Sequence, residues 1–125
     1  MKPRLLVVDD EESILSAIRD YFEPRGYEVD CARELEEAEA LLSHIRYALL
    51  IADLRLTGVQ GNEGLELIRF VRERSPWTRT IVLTGYGSTE IEMEAIGRGV
   101  DAFLQKPQPL AALAAIAANL TGQGA

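Results

Sequence analysis

Four short apolar runs in this sequence each give way to a side chain that could take part in chemistry. Leu5-Leu6-Val7-Val8 runs into Asp9-Asp10, Ala48-Leu49-Leu50-Ile51-Ala52 into Asp53, and Ile81-Val82-Leu83 into Thr84. The fourth, Ala102-Phe103-Leu104, is followed shortly by Lys106. Three carboxylates, a hydroxyl and an ammonium suffice to handle a phosphoryl group if the fold gathers them. Crowded carboxylates repel one another, so either their pKa values rise or a cation neutralises them. An all-oxygen set suits a hard divalent cation, and Mg²⁺ is the expected cofactor because it takes phosphate oxygens as further ligands. A lysine and a hydroxyl beside it would serve the remaining phosphate oxygens. Phosphoryl transfer depends mainly on positioning and charge neutralisation. Asp53, at the end of the middle run, is the best-placed carboxylate nucleophile.

The elements between these residues alternate in period. Leu5 to Val8 is continuously apolar, as a strand covered on both faces must be. Ile14, Ile18, Tyr21 and Phe22 recur at helical spacing, with Gly26 as a stop. Tyr27, Val29 and Cys31 alternate with Glu28 and Asp30, which predicts a half-exposed edge strand. Leu35, Ala38, Leu41, Leu42 and Ile45 mark a second helix, and Ala48 to Ala52 a second buried strand. A glycine-rich loop from Leu54 to Gly64 precedes a helix marked by Leu65, Ile68 and Val71, which Ser75-Pro76 ends. After the strand at Ile81 to Leu83, Thr89 to Arg98 reads as a helix with Thr89 and Glu92 in a capping box. Ala102 to Leu104 is the last strand. Pro109 is placed at the first position of a final helix, whose core stripe is Leu110, Leu113, Ala117 and Leu120.

Five strand–helix units in strict alternation imply an α/β fold, a doubly wound parallel sheet with helices on both faces. The polar second strand suits an edge, so the expected strand order is 2-1-3-4-5, the flavodoxin-like arrangement. In that order strands one, three, four and five are consecutive. Their carboxyl ends then bring Asp9, Asp10, Asp53, Thr84 and Lys106 to one rim, where ligands bind in such sheets. Taken singly, each residue has an ordinary role: an aspartate at a strand end caps a helix or a turn, and a lone lysine is a solvated surface group. Their joint placement at four strand ends favours chemistry.

Bulk properties narrow the field. A length of 125 residues fits one domain, and 47% hydrophobic residues indicate a folded core. A formal net charge of −7 opposes direct nucleic-acid binding and docking to anionic membranes. Cys31 is the only cysteine, which excludes an intrachain disulfide and a cysteine-based zinc site. The first apolar run is too short for a signal peptide or a membrane helix, so a cytoplasmic location is expected. His44 is assigned to a helix end, Trp77 to a packing role, and Glu34, Glu36, Glu37 and Glu39 to a solvated helix face. The last helix carries no charge and offers Ala111, Ala112, Ala115 and Ala118 away from its core stripe. Residues 1–120 are read as the domain, and 121–125 as a tail or the start of a linker.

Leu6-Val7-Val8-Asp9-Asp10-Glu11, Leu50-Ile51-Ala52-Asp53-Leu54, Ile81-Val82-Leu83-Thr84-Gly85 and Gly99-Val100-Asp101-Ala102-Phe103-Leu104-Gln105-Lys106-Pro107 together resemble the receiver domain of bacterial two-component response regulators, the family of the chemotaxis receiver. The resemblance covers nearly the whole chain. It implies that Asp53 accepts a phosphoryl group from a sensor histidine kinase, a phosphotransfer protein or a small phosphodonor. It implies Mg²⁺ ligation by Asp10, Asp53 and the main-chain carbonyl of Arg55, with Asp9 acting mainly through a coordinated water. Lys106 would bind a phosphoryl oxygen, and Thr84 would hydrogen-bond the phosphoryl group once it is present. Phe103 takes the place of the aromatic switch residue, and the Lys106–Pro107 bond that of a cis peptide. The chain would be no enzyme beyond its own phosphorylation and dephosphorylation. A homodimer or an output domain would engage the fourth helix, fifth strand and fifth helix.

Some positions depart from that family. Leu56-Thr57 stand where Met-Pro is usual, and the loop to Gly64 is longer. Phe103 lacks the hydroxyl of a tyrosine. Arg55 and Tyr86 occupy positions that tune phosphoryl lifetime, and two bulky side chains there are expected to hinder attack by water. Two other functions compete: a receiver-like interaction module that never takes phosphate, and a Mg²⁺-dependent phosphohydrolase. The complete acidic, hydroxyl and lysine set opposes the first. Adjacent aspartates on the first strand, rather than an Asp-x-Asp nucleophile pattern, oppose the second.

Overall fold

A computed structural model describes residues 2–54, 63–85 and 88–122 of the chain. Its elements follow in order β1 (Arg4–Val8), α1 (Glu12–Phe22), β2 (Glu28–Ala32), α2 (Leu35–His44), β3 (Leu49–Ala52), α3 (Glu63–Arg74), β4 (Arg79–Thr84), α4 (Thr89–Gly97), β5 (Ala102–Gln105) and α5 (Leu110–Thr121). The strands form one parallel sheet in the order β2-β1-β3-β4-β5, as the sequence predicts.

Helices on both faces explain the continuous apolar runs of the inner strands, at residues 5–8, 49–52 and 81–83. Leu5, Val7, Leu49, Ile51, Ile81 and Leu83 pack with Leu15, Ile18 and Phe22 of α1 and Leu113 and Ala117 of α5. Their neighbours in sequence join the opposite layer. Leu6, Val8, Leu50 and Ala52 meet Ala38 and Leu42 of α2 and Leu67 and Val71 of α3. Val82 continues that face toward Ile68 of α3 and Ala95 of α4. Each large side chain so enclosed contributes roughly 1.5–3 kcal/mol by leaving water. The edges look different. β2 alternates as expected, with Glu28 exposed and Val29 buried. Ala102, Phe103 and Leu104 of β5 are all only partly buried.

The helix ends explain two differences from the sequence reading. Ser88, not Thr89, caps α4: its extended backbone (φ −130°, ψ 168°) lets Oγ accept a hydrogen bond from the Ile91 N–H at 3.2 Å. Thr89 is already the first helical residue, so no box with Glu92 forms. Pro109 sits one position outside α5, because its ψ of 135° is not helical, and its carbonyl accepts the Leu113 N–H at 3.1 Å. The stop at Gly26 is as expected: a short 3₁₀ turn, Glu23–Arg25, ends there at φ +99°, a conformation that favours glycine.

Trp77, given a packing role, packs at the surface: it is 44% exposed, with the Arg46 guanidinium 4.2 Å from its ring centre. Tyr47 supplies buried aromatic bulk on the α2–α3 side, and its hydroxyl donates to Asp30 Oδ2 at 2.7 Å. His44 is exposed at the end of α2, with Nδ1 2.9 Å from the Ala40 carbonyl, as predicted.

Two substitutions test this packing. Phe22 is fully buried and meets the Tyr27 ring edge-on at 5.2 Å. Phe22→Ala is expected to lower the free energy of unfolding by about 3–5 kcal/mol, read as the urea midpoint at unchanged slope. Gly64 lies where α3 meets the chain leaving β3, and its N–H donates to the Leu54 carbonyl at 2.9 Å. A methyl group there would overlap the Leu54 Cα and lie 2.7 Å from its carbonyl oxygen. Gly64→Ala is expected to destabilise by about 1–3 kcal/mol in the same measurement, although alanine is the better helix former.

Candidate functional site

The rim residues are held first by the main chain. Hydrogen bonding continues one residue past the strand ends: Asp9 N–H donates to Ala32 O at 3.1 Å, Asp53 N–H to Val8 O at 3.0 Å, and Lys106 N–H to Thr84 O at 2.9 Å. Parallel register therefore places Asp9 and Asp53 level with each other, and Lys106 two residues beyond that level on the edge strand, from which its long side chain reaches back. Asp9 and Asp53 are buried, Thr84 is fully so, and Asp10 is exposed.

The side chains then converge. Lys106 Nζ lies 2.8 Å from Asp9 Oδ2 and 3.0 Å from Asp53 Oδ2. Asp9, Asp10 and Asp53 each offer a carboxylate oxygen, and these atoms lie within 4.8 Å of one another. Lys106 approaches one side of the group, and Asp10 stands toward solvent on another. A set of hard oxygen donors with an exposed member fits a divalent cation that keeps water ligands. The five side chains expected at the rim are thus at its strand ends, and the four charged ones form one cluster.

Burial pushes the Asp9 carboxyl up from its ordinary range, against the pull of Lys106 and of the Glu11 N–H. Burial alone would lower the Lys106 ammonium, but hydrogen bonds to Asp9 and Asp53 outweigh it and hold the group well above the usual lysine range. Both raised values make stability fall as pH rises, in different windows. Because the folded value of Lys106 exceeds 10.5, its ion pairs stabilise the fold through neutral pH and are lost only as pH climbs beyond that value. The raised Asp9 favours the fold below pH 3.8, and that contribution is lost as pH rises through its folded value. Ionising Asp9 in this buried place is a burden that a bound cation would relieve.

Phe103 belongs to the same geometry. It pairs with Val82, two residues before Thr84 on β4, so the ring and the Thr84 side chain share a face of the sheet. The ring is partly buried against Leu54, Ile68, Val82, Ala95 and Val100. The Lys106–Pro107 peptide is cis, as the resemblance implies. The Arg55 carbonyl, Leu56-Thr57 and Tyr86 lie outside the described residues.

Three participants escape the sequence reading. Glu11 Oε1 lies 3.6 Å from Lys106 Nζ. Arg33 donates from Nη2 to the Asp10 carbonyl at 3.2 Å and pairs with Glu12 at 3.5 Å. Gly64 fixes the start of α3 against Leu54, beside Asp53. Arg33 was accessible in principle: it follows β2 directly, and β2 neighbours β1 at the edge of the sheet.

Known proteins share this fold and much of this sequence. Residues 5–118 match the family described as the response regulator receiver domain. The chain is 34% identical over 103 residues to the photosynthetic apparatus regulatory protein RegA of Rhodobacter capsulatus, an alignment covering 82% of this chain and 54% of RegA. The chain thus spans about half the length of that relative. The crystal structure of a CheY-like response regulator receiver domain protein from Methanospirillum hungatei JF-1 matches with a TM-score of 0.88 and 31% identity, over 98% of this chain and 97% of that one. A response regulator protein from Burkholderia pseudomallei matches with a TM-score of 0.84 and 31% identity, over 92% of this chain and 66% of that one; its crystal structure holds a phosphorylated aspartic acid, a calcium ion and citrate. With its five-stranded order and its acidic rim tethered by a lysine, this chain belongs to the response regulator receiver domain family of two-component signalling.

Proposed function

We propose that Asp53 is the phosphoacceptor of this receiver and that Mg²⁺ is the cation its carboxylates hold, with Asp10 and Asp53 as direct ligands and Asp9 behind a water. The observation that carries this reading is the Lys106 ammonium, 2.8 Å from Asp9 and 3.0 Å from Asp53, beside a cluster of three carboxylates. A bound cation supplies charge neutralisation for those carboxylates and for the phosphoryl oxygens. The protein's own groups do the rest. An Asp53 oxygen attacks phosphorus as the bond to the donor breaks, and Lys106 turns from the carboxylates to a phosphoryl oxygen. The Thr84 hydroxyl then donates to another phosphoryl oxygen. Movement of Thr84 toward the new anion alters the face it shares with Phe103, and the altered state is populated in proportion to its extra interaction with the phosphoryl group.

Donors of the sensor histidine kinase or phosphotransfer class suit a mostly apolar hollow of about 230 Å³ that adjoins Lys106 and is lined by Ile14, Ala17, Ile18, Leu83, Pro107 and Leu110. A second copy or an output domain suits the surface of α4, β5 and α5, where Met93 is 68% and Ile96 53% exposed and Ala111, Ala112 and Ala115 face solvent. Among the described residues no helix is long and apolar enough to cross a membrane. A cytoplasmic location accompanies this reading, as does catalysis limited to the chain's own phosphorylation and dephosphorylation. An interaction module that never takes phosphate would have no use for a buried Asp53 beside a lysine.

With Mg²⁺ and acetyl phosphate or beryllofluoride, each chain is expected to gain one adduct by intact mass spectrometry, and Asp53→Asn none. Continuous phosphate release without accumulation would indicate a hydrolase, and no adduct a scaffold. The charge balance gives a second expectation. Asp10→Asn removes one of three crowded carboxylates without touching the Lys106 ion pairs, so it is expected to raise stability in metal-free buffer by up to about 1 kcal/mol. Added Mg²⁺ should stabilise the unaltered protein in urea melts and leave the variant nearly unmoved.

A further inference from the structure

Glu11 belongs to this cluster without serving any step of the transfer. Its main-chain N–H donates to Asp9 Oδ1 at 2.9 Å, so its backbone is part of the rim. Its side chain, however, is 60% exposed, with Oε1 3.6 Å from Lys106 Nζ. Arg33, a second cation near this loop, is engaged with Glu12 and with the Asp10 carbonyl. Among the described residues, Asp9, Asp10, Glu11 and Asp53 set four carboxylates around the Lys106 ammonium. A single divalent cation leaves that described set still formally negative.

We propose that Glu11 selects the phosphodonor: its carboxylate at the mouth disfavours free dianionic acyl phosphates and reserves Asp53 for a phosphoryl group delivered on a protein. The inference rests on Asp53 being the phosphoacceptor. Two effects act together. Glu11 repels an incoming anion from a solvent-exposed position, where added salt screens the repulsion. It also competes for the ammonium that must follow the phosphoryl oxygen. A protein donor makes docking contacts whose free energy offsets the repulsion, and a small anion makes none. The chemistry is the same for each donor. The Asp53 Oδ–P bond forms; from an acyl phosphate the P–O bond breaks and its electron pair leaves on the carboxylate. From phosphoramidate the P–N bond breaks and the already protonated nitrogen leaves as ammonia.

The test compares the rate of adduct formation in the unaltered protein and in Glu11→Gln, with Mg²⁺, at low and high ionic strength. The donors are acetyl phosphate, a dianion, and phosphoramidate, a single net negative charge. Glu11→Gln is expected to speed the acetyl phosphate reaction about three- to ten-fold at low salt, with a smaller gain for phosphoramidate. Both gains should fade toward one at high salt, and Glu11→Lys should exceed Glu11→Gln. The proposal is overturned by no gain, by equal gains for the two donors, or by a gain that salt leaves intact, since the last would mark a steric effect. Failure of both donors to modify both the unaltered protein and Glu11→Gln would instead sink the phosphoacceptor reading on which the proposal stands.

Discussion

One ammonium group holds the acidic rim together. Asp9 and Asp53 are removed from water at the ends of adjacent strands, and Lys106 from the edge of the sheet reaches both. Withdrawing charges from water is costly, and a buried ion pair seldom returns more than its desolvation penalty. The cluster is therefore a poor way to stabilise a fold, and among the described residues its carboxylates outnumber its cations. That imbalance makes chemical sense when the missing positive charge is to arrive from outside and a phosphoryl group is to follow it.

Everything else about the fold serves to bring those groups together. Asp9 and Lys106 are far apart in sequence, and only the crossovers that place β3 and β4 between β1 and β5 make them neighbours. The same register puts Phe103 on the face of Thr84. A change in charge at Asp53 thus has a short mechanical route to the partly buried strand β5 and to the exposed apolar side chains of α4.

The fold was legible because burial on both faces leaves an unmistakable mark, as in Leu5 to Val8 and Leu49 to Ala52, where each residue is enclosed. The rim residues were legible for a related reason: a polar residue directly after such a run has to stand at the strand end. Helix ends were less so. Ser88 and Thr89 can each cap a helix, and only the backbone angles decide between them. The packing partner of Trp77 was not legible, because nothing local announces the Arg46 guanidinium that covers it from a distant segment. Glu11, Arg33 and Gly64 were missed because their roles depend on side-chain reach or on a missing side chain, neither of which has a periodicity to read.

Peptide groups fix where the rim residues stand, and the ammonium then draws their side chains together. Asp9 and Asp53 are each anchored through their own N–H to a carbonyl of the adjoining strand, and Lys106 likewise to Thr84. Peptide groups are common to nearly all amino acids, so these positions keep their place whichever residue occupies them. An ancestral lineage could therefore exchange the letters of this surface, retuning metal preference, donor or signal duration, while the interior stayed untouched. Scaffold and chemistry are inherited on separate terms, which suits a module that must be copied many times and kept from cross-talk.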